Sequence, residues 1–458
     1  MATATKYRLP RANTAIFSAN WKADSLDAVD ECLQSNHNEN HIAWHEERRH
    51  NHMVHHILSV HGLGATAEQV KEHYGTARQV IPPARELDET LSYSLVDREK
   101  WKIHIGDHLY YRNYLAHFER EIQAKGYIEV MHEYLFAEDE RAEDMMVRLF
   151  SGLWHPWIHL GYALEFEQPC LMAEALAQIA THPLWDFHKV LLPTEKVAGR
   201  YGTKSMIEIM EDIHKDEKLM AAPIYDNLNR YIDVFNRAPD EMIKHASKYT
   251  VKLEEMDAKV AESHEVAAYS LGCCQRRGKD IKCDFFILHN LTASIFLSSI
   301  CYHPSISTRT RIRLMEWKGR VDLIAWATIK APTLDRSVLM DHPHTKDWDG
   351  LFQWNLDTCK DDSHYAKALR ALAHGQKLCK EQEAKGNAPK CMVSDEMWLK
   401  VGNMLISASA RDPKYVRGAG FDPEWDLVPD LEPEADAQLP ALFKKTTLSE
   451  VVTEVSST

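Results

Sequence analysis

The sequence predicts an all-α protein: a single large multi-helical domain with irregular loops and a C-terminal extension. Three observations predict it. Glycine is scarce, at 18 of 458 residues, which leaves few places where the chain must turn through left-handed backbone. The apolar residues recur at helical spacing over long segments, and no regular alternation of strand and helix is visible. Prolines stand between several of those segments, at Pro82-Pro83, His182-Pro183, Ala331-Pro332 and Asp341-His342-Pro343.

Taken in order, the periodic segments place helices at 43 to 61, 66 to 74, 106 to 125, 140 to 152, 156 to 180 and 204 to 235, then at 239 to 267, 285 to 300, 309 to 330, 362 to 386 and 393 to 411. Gly62 and Gly64 read as helix-ending turn residues, and Thr66 with Gln69 as the capping box of the next helix. No strand precedes this GLG, so it is not a dinucleotide fingerprint. Pro156 suits the first position of a helix and puts His155 at its cap. The catalytic domain is expected over 1–411. Beyond it, 412–458 is rich in Pro, Asp and Glu and polar at its end, the composition of a partly disordered extension.

Composition narrows the function. A formal net charge of −14, with 45% hydrophobic and 27% charged residues, suits a globular protein and argues against a nucleic-acid partner, which needs a basic face. The start of the chain has no apolar core of a secretory signal and no stretch is long enough for a membrane span, so a cytoplasmic protein is expected. Nine cysteines without framework spacing read as reduced buried thiols. The 26 histidines are the real excess, and imidazole is a common ligand for first-row metals.

Four segments hold ten of the 26 and carry the candidates. In HNHMVHHILSVHGLGA, His52, His56 and Ser59 share a helical face, with His55 beside them; a polar solvated face explains the same spacing. The nearby HEERRH, residues 45 to 50, has one residue too many for the zincin motif HExxH. In FSGLWHPWIHLGYALEFEQ, His155 and His159 can reach one site while Trp154, Trp157 and Tyr162 offer flat surface; a buried aromatic helix is the alternative. CDFFILHNLTASIFLSSI buries His289 in an apolar run, which requires a partner: a metal, a backbone carbonyl or Asp284. In DDSHYAKALRALAHGQK, His364, Lys367, Ala371 and His374 span an arc of about 80° at 100° per residue, whereas Lys377 lies about 140° from His364. A wet helix face explains that stripe as well.

Asn51-His52 ahead of Gly62-Leu63-Gly64-Ala65, His155-Pro156 running into Ile158 and Gly161-Tyr162-Ala163, His289-x-x-Thr292, and Asp362-x-His364-x-x-Lys367 occur together in this order. In these motifs, over most of residues 40 to 380, the chain resembles the fungal questin oxidase-like family, also called Baeyer–Villiger oxidase-like. The resemblance implies a helical, non-haem iron dioxygenase that cleaves the central ring of an anthraquinone or its hydroquinone in secondary metabolism, giving a benzophenone-type carboxylate. It implies Fe(II), with dioxygen as co-substrate and a small aromatic polyketide as substrate, held by His52, His155, His289 and His364, with Lys367 as their companion. Four neutral imidazoles lack the carboxylate of the usual facial triad. Carboxylation of Lys367 by carbon dioxide would supply that anion; otherwise Lys367 serves as general base. Thr292, His159 and His56 are then expected in orienting or proton-transfer roles, and Trp154, Trp157, Tyr162 and Phe285 as walls for a flat substrate.

Two other classes stay in view. No G-x-G-x-x-G follows a strand, which disfavours a bound nicotinamide or flavin, yet an NADPH-dependent Baeyer–Villiger monooxygenase of the same family is the nearest alternative. A metal-binding helical hydrolase or a scaffold protein is the more distant one. Homo-oligomerisation is left open by the sequence.

Overall fold

A computed structural model of the chain describes residues 1–44, 49–227, 229–358, 363–410 and 415–431. Among them the architecture is all-α, as expected, and the single sheet is a two-residue antiparallel pair, Ala43–Trp44 with Arg49–His50. Residues 45–48 of HEERRH, Asp361-Asp362, and 412–414 and 432–458 of the extension lie outside the described residues. No helix among those described is long and apolar enough to cross a membrane. The described cysteines are all buried and none is in a disulfide.

The helices gather into two compact units. The first comprises Met1–His188 with Phe296–Arg311. Its elements used below are α1 (Leu26–Glu39), α2 (Met53–Gly62), α3 (Ala67–Ala77), α4 (Tyr111–Lys125), α5 (His155–Glu165) and α6 (Pro169–Thr181). The expected helix over 43 to 61 is corrected at its start. Ala43–Trp44 and Arg49–His50 pair as strands, and the helix begins only at Met53. It ends where the glycines predict: Gly64 sits at φ 96°, and a Cβ there would meet the Asn20 carbonyl oxygen at 2.8 Å. The Thr66–Gln69 capping box opens α3 as read from the sequence.

The segment 156 to 180 is two helices. Gln168 is extended and Pro169 starts α6, because proline has no N–H to continue the preceding helix. α5 and α6 pack on each other, α6 also packs on α4, and α5 packs on the short helix Phe296–Ile300. Gly161 makes that last approach feasible, since a Cβ at this position would lie 2.3 Å from the Phe296 ring.

The second unit comprises Lys189–Ile295 with the described residues from Ile312 onward. Its centre is α7 (Met256–Cys273), α8 (Phe285–Ser294) and α9 (Tyr365–Ala384), which pack on one another. α8 is buried on every side, its polar His289, Asn290, Thr292 and Ser294 included. The Asp284 side chain caps it by accepting from the Phe286 and Ile287 N–H groups at 2.9 and 3.1 Å. Its second oxygen accepts from the Ala419 N–H at 2.9 Å. Phe285 N–H donates to Val416 O, and Val416 N–H to Cys283 O. The short stretch 415–431 is thereby fastened to the start of α8.

Candidate metal centre and its surroundings

In the first unit, His52 is the N-cap residue of α2 and His155 the first residue of α5, preceded by Trp154 in left-handed backbone at φ 69°. The sequence placed His155 one position earlier, at the cap. The two Nε2 atoms are 2.7 Å apart and the rings nearly parallel, at 8°. His155 Nδ1 lies 2.6 Å from Gly152 O. A carbonyl oxygen only accepts, so this nitrogen carries the proton, and in the neutral ring Nε2 presents its lone pair toward His52.

The second unit repeats the nitrogen-to-nitrogen contact, with the rings at 64° rather than parallel. His289 on α8 donates from Nδ1 to Phe285 O at 2.6 Å, one turn back, which again leaves Nε2 as the lone-pair nitrogen of the neutral ring. That atom faces His364 Nε2 at 3.1 Å, and His364 is the buried N-cap residue of α9. Each pair therefore sets nitrogen against nitrogen, which only a shared proton or a shared cation makes attractive. Backbone carbonyls orient the outer nitrogens as they do for metal-bound histidines.

The stripe on α9 is not a wet face. His364, Lys367 and His374 are at most 5% exposed, whereas Lys377 is exposed and pairs with Glu381 at 4.0 Å. Lys367 is the buried lysine, as the helical spacing anticipated. His374 turns to His264 on α7, ring centroids 5.4 Å apart, and burial with that neighbour pushes it down to about 2.

The other expected residues divide. His159 bonds His55 through Nδ1 and Glu174 through Nε2, both at 3.1 Å. His56 faces His73 on α3 at 3.0 Å, so the two members of the His52/His56 face serve different neighbours. The Thr292 hydroxyl donates to the His289 carbonyl at 3.3 Å, touching its backbone and not its ring. Trp154 and Trp157 pack with Phe150 in the core. Tyr162 lies on the His55 ring and its hydroxyl bonds Ser59. Phe285 flanks the second histidine pair, 4.4 Å from the His289 ring and 5.3 Å from that of His364.

Several neighbours were not anticipated. His50 stacks on His155 at 3.9 Å and meets His182 Nε2 at 3.1 Å; burial lowers His182 to about 4. Tyr415 stands 5.6 Å from His364, and the Arg417 guanidinium covers Phe285 at 4.4 Å. In the first unit, His37, Cys170 and Glu174 form a further buried cluster, with Glu119 on the far side of His37. Burial pushes the Cys170 thiol up to about 12. Burial also opposes ionisation of Glu174, but hydrogen bonds from His159 and His37 overcome it and hold the carboxyl at about 2. The i, i+4 spacing of Cys170 and Glu174 was the available signal.

The model of the questin oxidase-like family matches residues 49–372, the span that carries both histidine pairs. The chain belongs to the questin oxidase-like family. A questin oxidase of Aspergillus fumigatus is 34% identical over 94% of this chain and 100% of its own length. A Baeyer–Villiger oxidase of Pestalotiopsis fici is 33% identical over 89% and 94%, and a Baeyer–Villiger monooxygenase of a Cryptosporiopsis species 33% over 90% and 96%. These family members are oxidoreductases by name.

Proposed function

We propose that the chain oxidatively cleaves the central ring of an anthraquinone, or of its hydroquinone, in fungal secondary metabolism, giving a benzophenone-type carboxylate. His52, His155, His289 and His364 hold a non-haem Fe(II), with dioxygen as co-substrate. The observation that carries this reading is the double one above: two Nε2-to-Nε2 imidazole pairs, in which His155 and His289 each have Nδ1 locked on a backbone carbonyl. Neutral imidazole suits a divalent first-row metal, so the donor set fits iron. Bound there, iron would supply activation of dioxygen.

The chain's own residues do the rest. The Gly152 and Phe285 carbonyls fix the tautomer and orientation of their histidines. Lys367 is buried on α9 within one turn of His364, and we assign it the anionic role as its carbamate; as a free amine it takes the substrate phenol's proton. Phe285 and Tyr415 offer aromatic faces beside His289 and His364 for a flat phenolic ring. His159, bonded to Glu174, is an acceptor or donor of protons within the first unit.

Elemental analysis of the purified chain tests the metal, and intact mass with native-state peptide mapping tests Lys367. Iron at one equivalent, lost in His155→Ala and in His289→Ala, is the expected result; active protein that holds no iron, whether or not it holds another metal, defeats the iron assignment. An unmodified Lys367 defeats the carbamate and leaves the general base. Two of the relatives above carry Baeyer–Villiger names, which favours an NADPH-dependent insertion as the second reading. Oxygen uptake that requires NADPH would select it.

A further inference from the structure

Of the cluster of His37, Cys170 and Glu174, only Glu174 touches the proposed reaction, through its bond to His159; His37 and Cys170 have no part in it. The cluster uses three donor types that rarely share a core without reason. His37 comes from α1, and Cys170 and Glu174 from successive turns of α6. All three are at most 5% exposed, and their ligand atoms lie within 4.8 Å of one another.

Nδ1 of His37 is the point of convergence. Glu174 Oε1 lies 2.7 Å from it and Cys170 Sγ 3.4 Å from it. One ring N–H has a single direction in which to point, so a proton serves this crowded corner poorly. The outer atoms are already held from behind. His37 Nε2 bonds Glu119 Oε1 at 3.0 Å, Glu174 Oε2 accepts from His159 at 3.1 Å, and Glu174 Oε1 accepts from the Tyr7 hydroxyl at 2.9 Å. A carboxylate behind a histidine whose other nitrogen faces the ligand cluster is the usual support of a metal-bound imidazole.

We propose that His37, Cys170 and Glu174 bind a zinc ion, separate from the iron assigned above. Zinc takes nitrogen at about 2.0–2.1 Å, sulfur at about 2.3 Å and carboxylate oxygen at about 2.0–2.2 Å in tetrahedral array. Those bonds put imidazole nitrogen and thiolate sulfur about 3.5 Å apart, close to the spacing between Nδ1 and Sγ. The nitrogen–oxygen edge opens by about half an ångström. The Tyr7 hydroxyl or a water completes the fourth position. Binding releases the Cys170 thiol proton and the proton on His37 Nδ1, and the dication replaces the charge they leave. Glu119, on α4, ties a third helix to the site, so the ion joins α1, α4 and α6.

The test uses Co²⁺ as the probe on the full-length chain, stripped with chelator and reconstituted. A cobalt–thiolate charge-transfer band in the near ultraviolet is expected, together with about one zinc equivalent in the protein as isolated. The proposed iron ligands contain no sulfur, so this band reports the cysteine site alone. Cys170→Ser removes the band and the zinc while iron content is retained, and His155→Ala does the reverse, which separates this proposal from the iron reading. Wild-type protein that takes up cobalt with no thiolate band overturns the proposal, without any variant having to fold. Zinc content unchanged by Cys170→Ser overturns it as well.

Discussion

The two histidine pairs share an Nε2-to-Nε2 contact, with the rings at 8° in one and 64° in the other, and they differ in surroundings. Around His52 and His155 the neighbours are other imidazoles: His50 stacks on His155, His182 meets His50, and His55 connects through His159 to Glu174. Within the second unit, Phe285 and Tyr415 flank His289 and His364, with Arg417 above Phe285. The same donor, Nε2 of an imidazole whose Nδ1 is spoken for, is thus held once in a network that can store and pass protons and once against surfaces that suit a flat hydrocarbon. Under the function proposed above, we read this difference as a division of labour, with proton handling in one unit and ring recognition in the other.

The largest expected effect tests the likeness rather than the difference. Both histidines are ligands of the iron proposed above, so His155→Ala and His289→Ala are each expected to abolish activity and bring iron to background. If one variant keeps its iron and its turnover, the pairs are not equivalent and the metal belongs to the other pair. Anaerobic purification with elemental analysis and a product assay on an anthraquinol decides it.

The next effect is on how the second pair is anchored. Burial raises Asp284 to about 6 even though three backbone N–H groups donate to it. Its native pKa is above the unfolded value, so the native state binds this proton more tightly. The stability linked to it is therefore full below about pH 4 and is lost as pH rises through 6. Relative to Asp284→Asn, the wild type should gain up to about 3 kcal/mol in unfolding free energy between pH 7 and pH 4. Denaturant titrations of both proteins across that window measure the difference. A flat difference would mean that the carboxyl titrates in the native state as it does in the unfolded chain.

The first pair is anchored by steric fit instead. Gly161→Ala on α5 places a methyl into the Phe296 ring, at a cost of about 1–3 kcal/mol for overpacking, and the loss should be independent of pH. Thermal unfolding at two pH values distinguishes this from the Asp284 effect.

How much of this was legible follows from which forces are local. The capping box at Thr66 and the glycine ends of α2 are short-range and were read correctly. That Lys367 and not Lys377 lies on the face of His364 was also readable, since three residues against thirteen is a matter of helical pitch. The strand pair at Ala43–Trp44 and Arg49–His50 was hidden inside a helical-looking run. α1 was missed because its sequence, LDAVDECLQSNHNE, mixes polar residues into its buried face: Asp30, Asn36 and His37 are all buried. With α1 went the whole His37 cluster. Tyr415 and Arg417 reach α8 through bonds between Phe285, Val416 and Cys283, partners over a hundred positions apart, and no local periodicity encodes such a pairing. The motif histidines were visible as residue types, but their partners were not: His56 with His73 and His374 with His264 are tertiary facts.

The smallest effect bears most directly on the division of labour. Phe285→Leu keeps an apolar side chain at the start of α8 but removes the ring that lies against His289 and His364. Aromatic pairing of this kind contributes about 0.5–1.5 kcal/mol beyond area, so KM for an anthraquinol should rise by roughly three- to tenfold while kcat and iron content hold. A matched change beside the first pair, His50→Phe, preserves stacking on His155 and removes the link to His182, and should lower kcat with KM unchanged. If Phe285→Leu instead lowers kcat and leaves KM alone, the aromatic wall orients the histidines rather than the substrate, and ring recognition must be sought elsewhere in the chain.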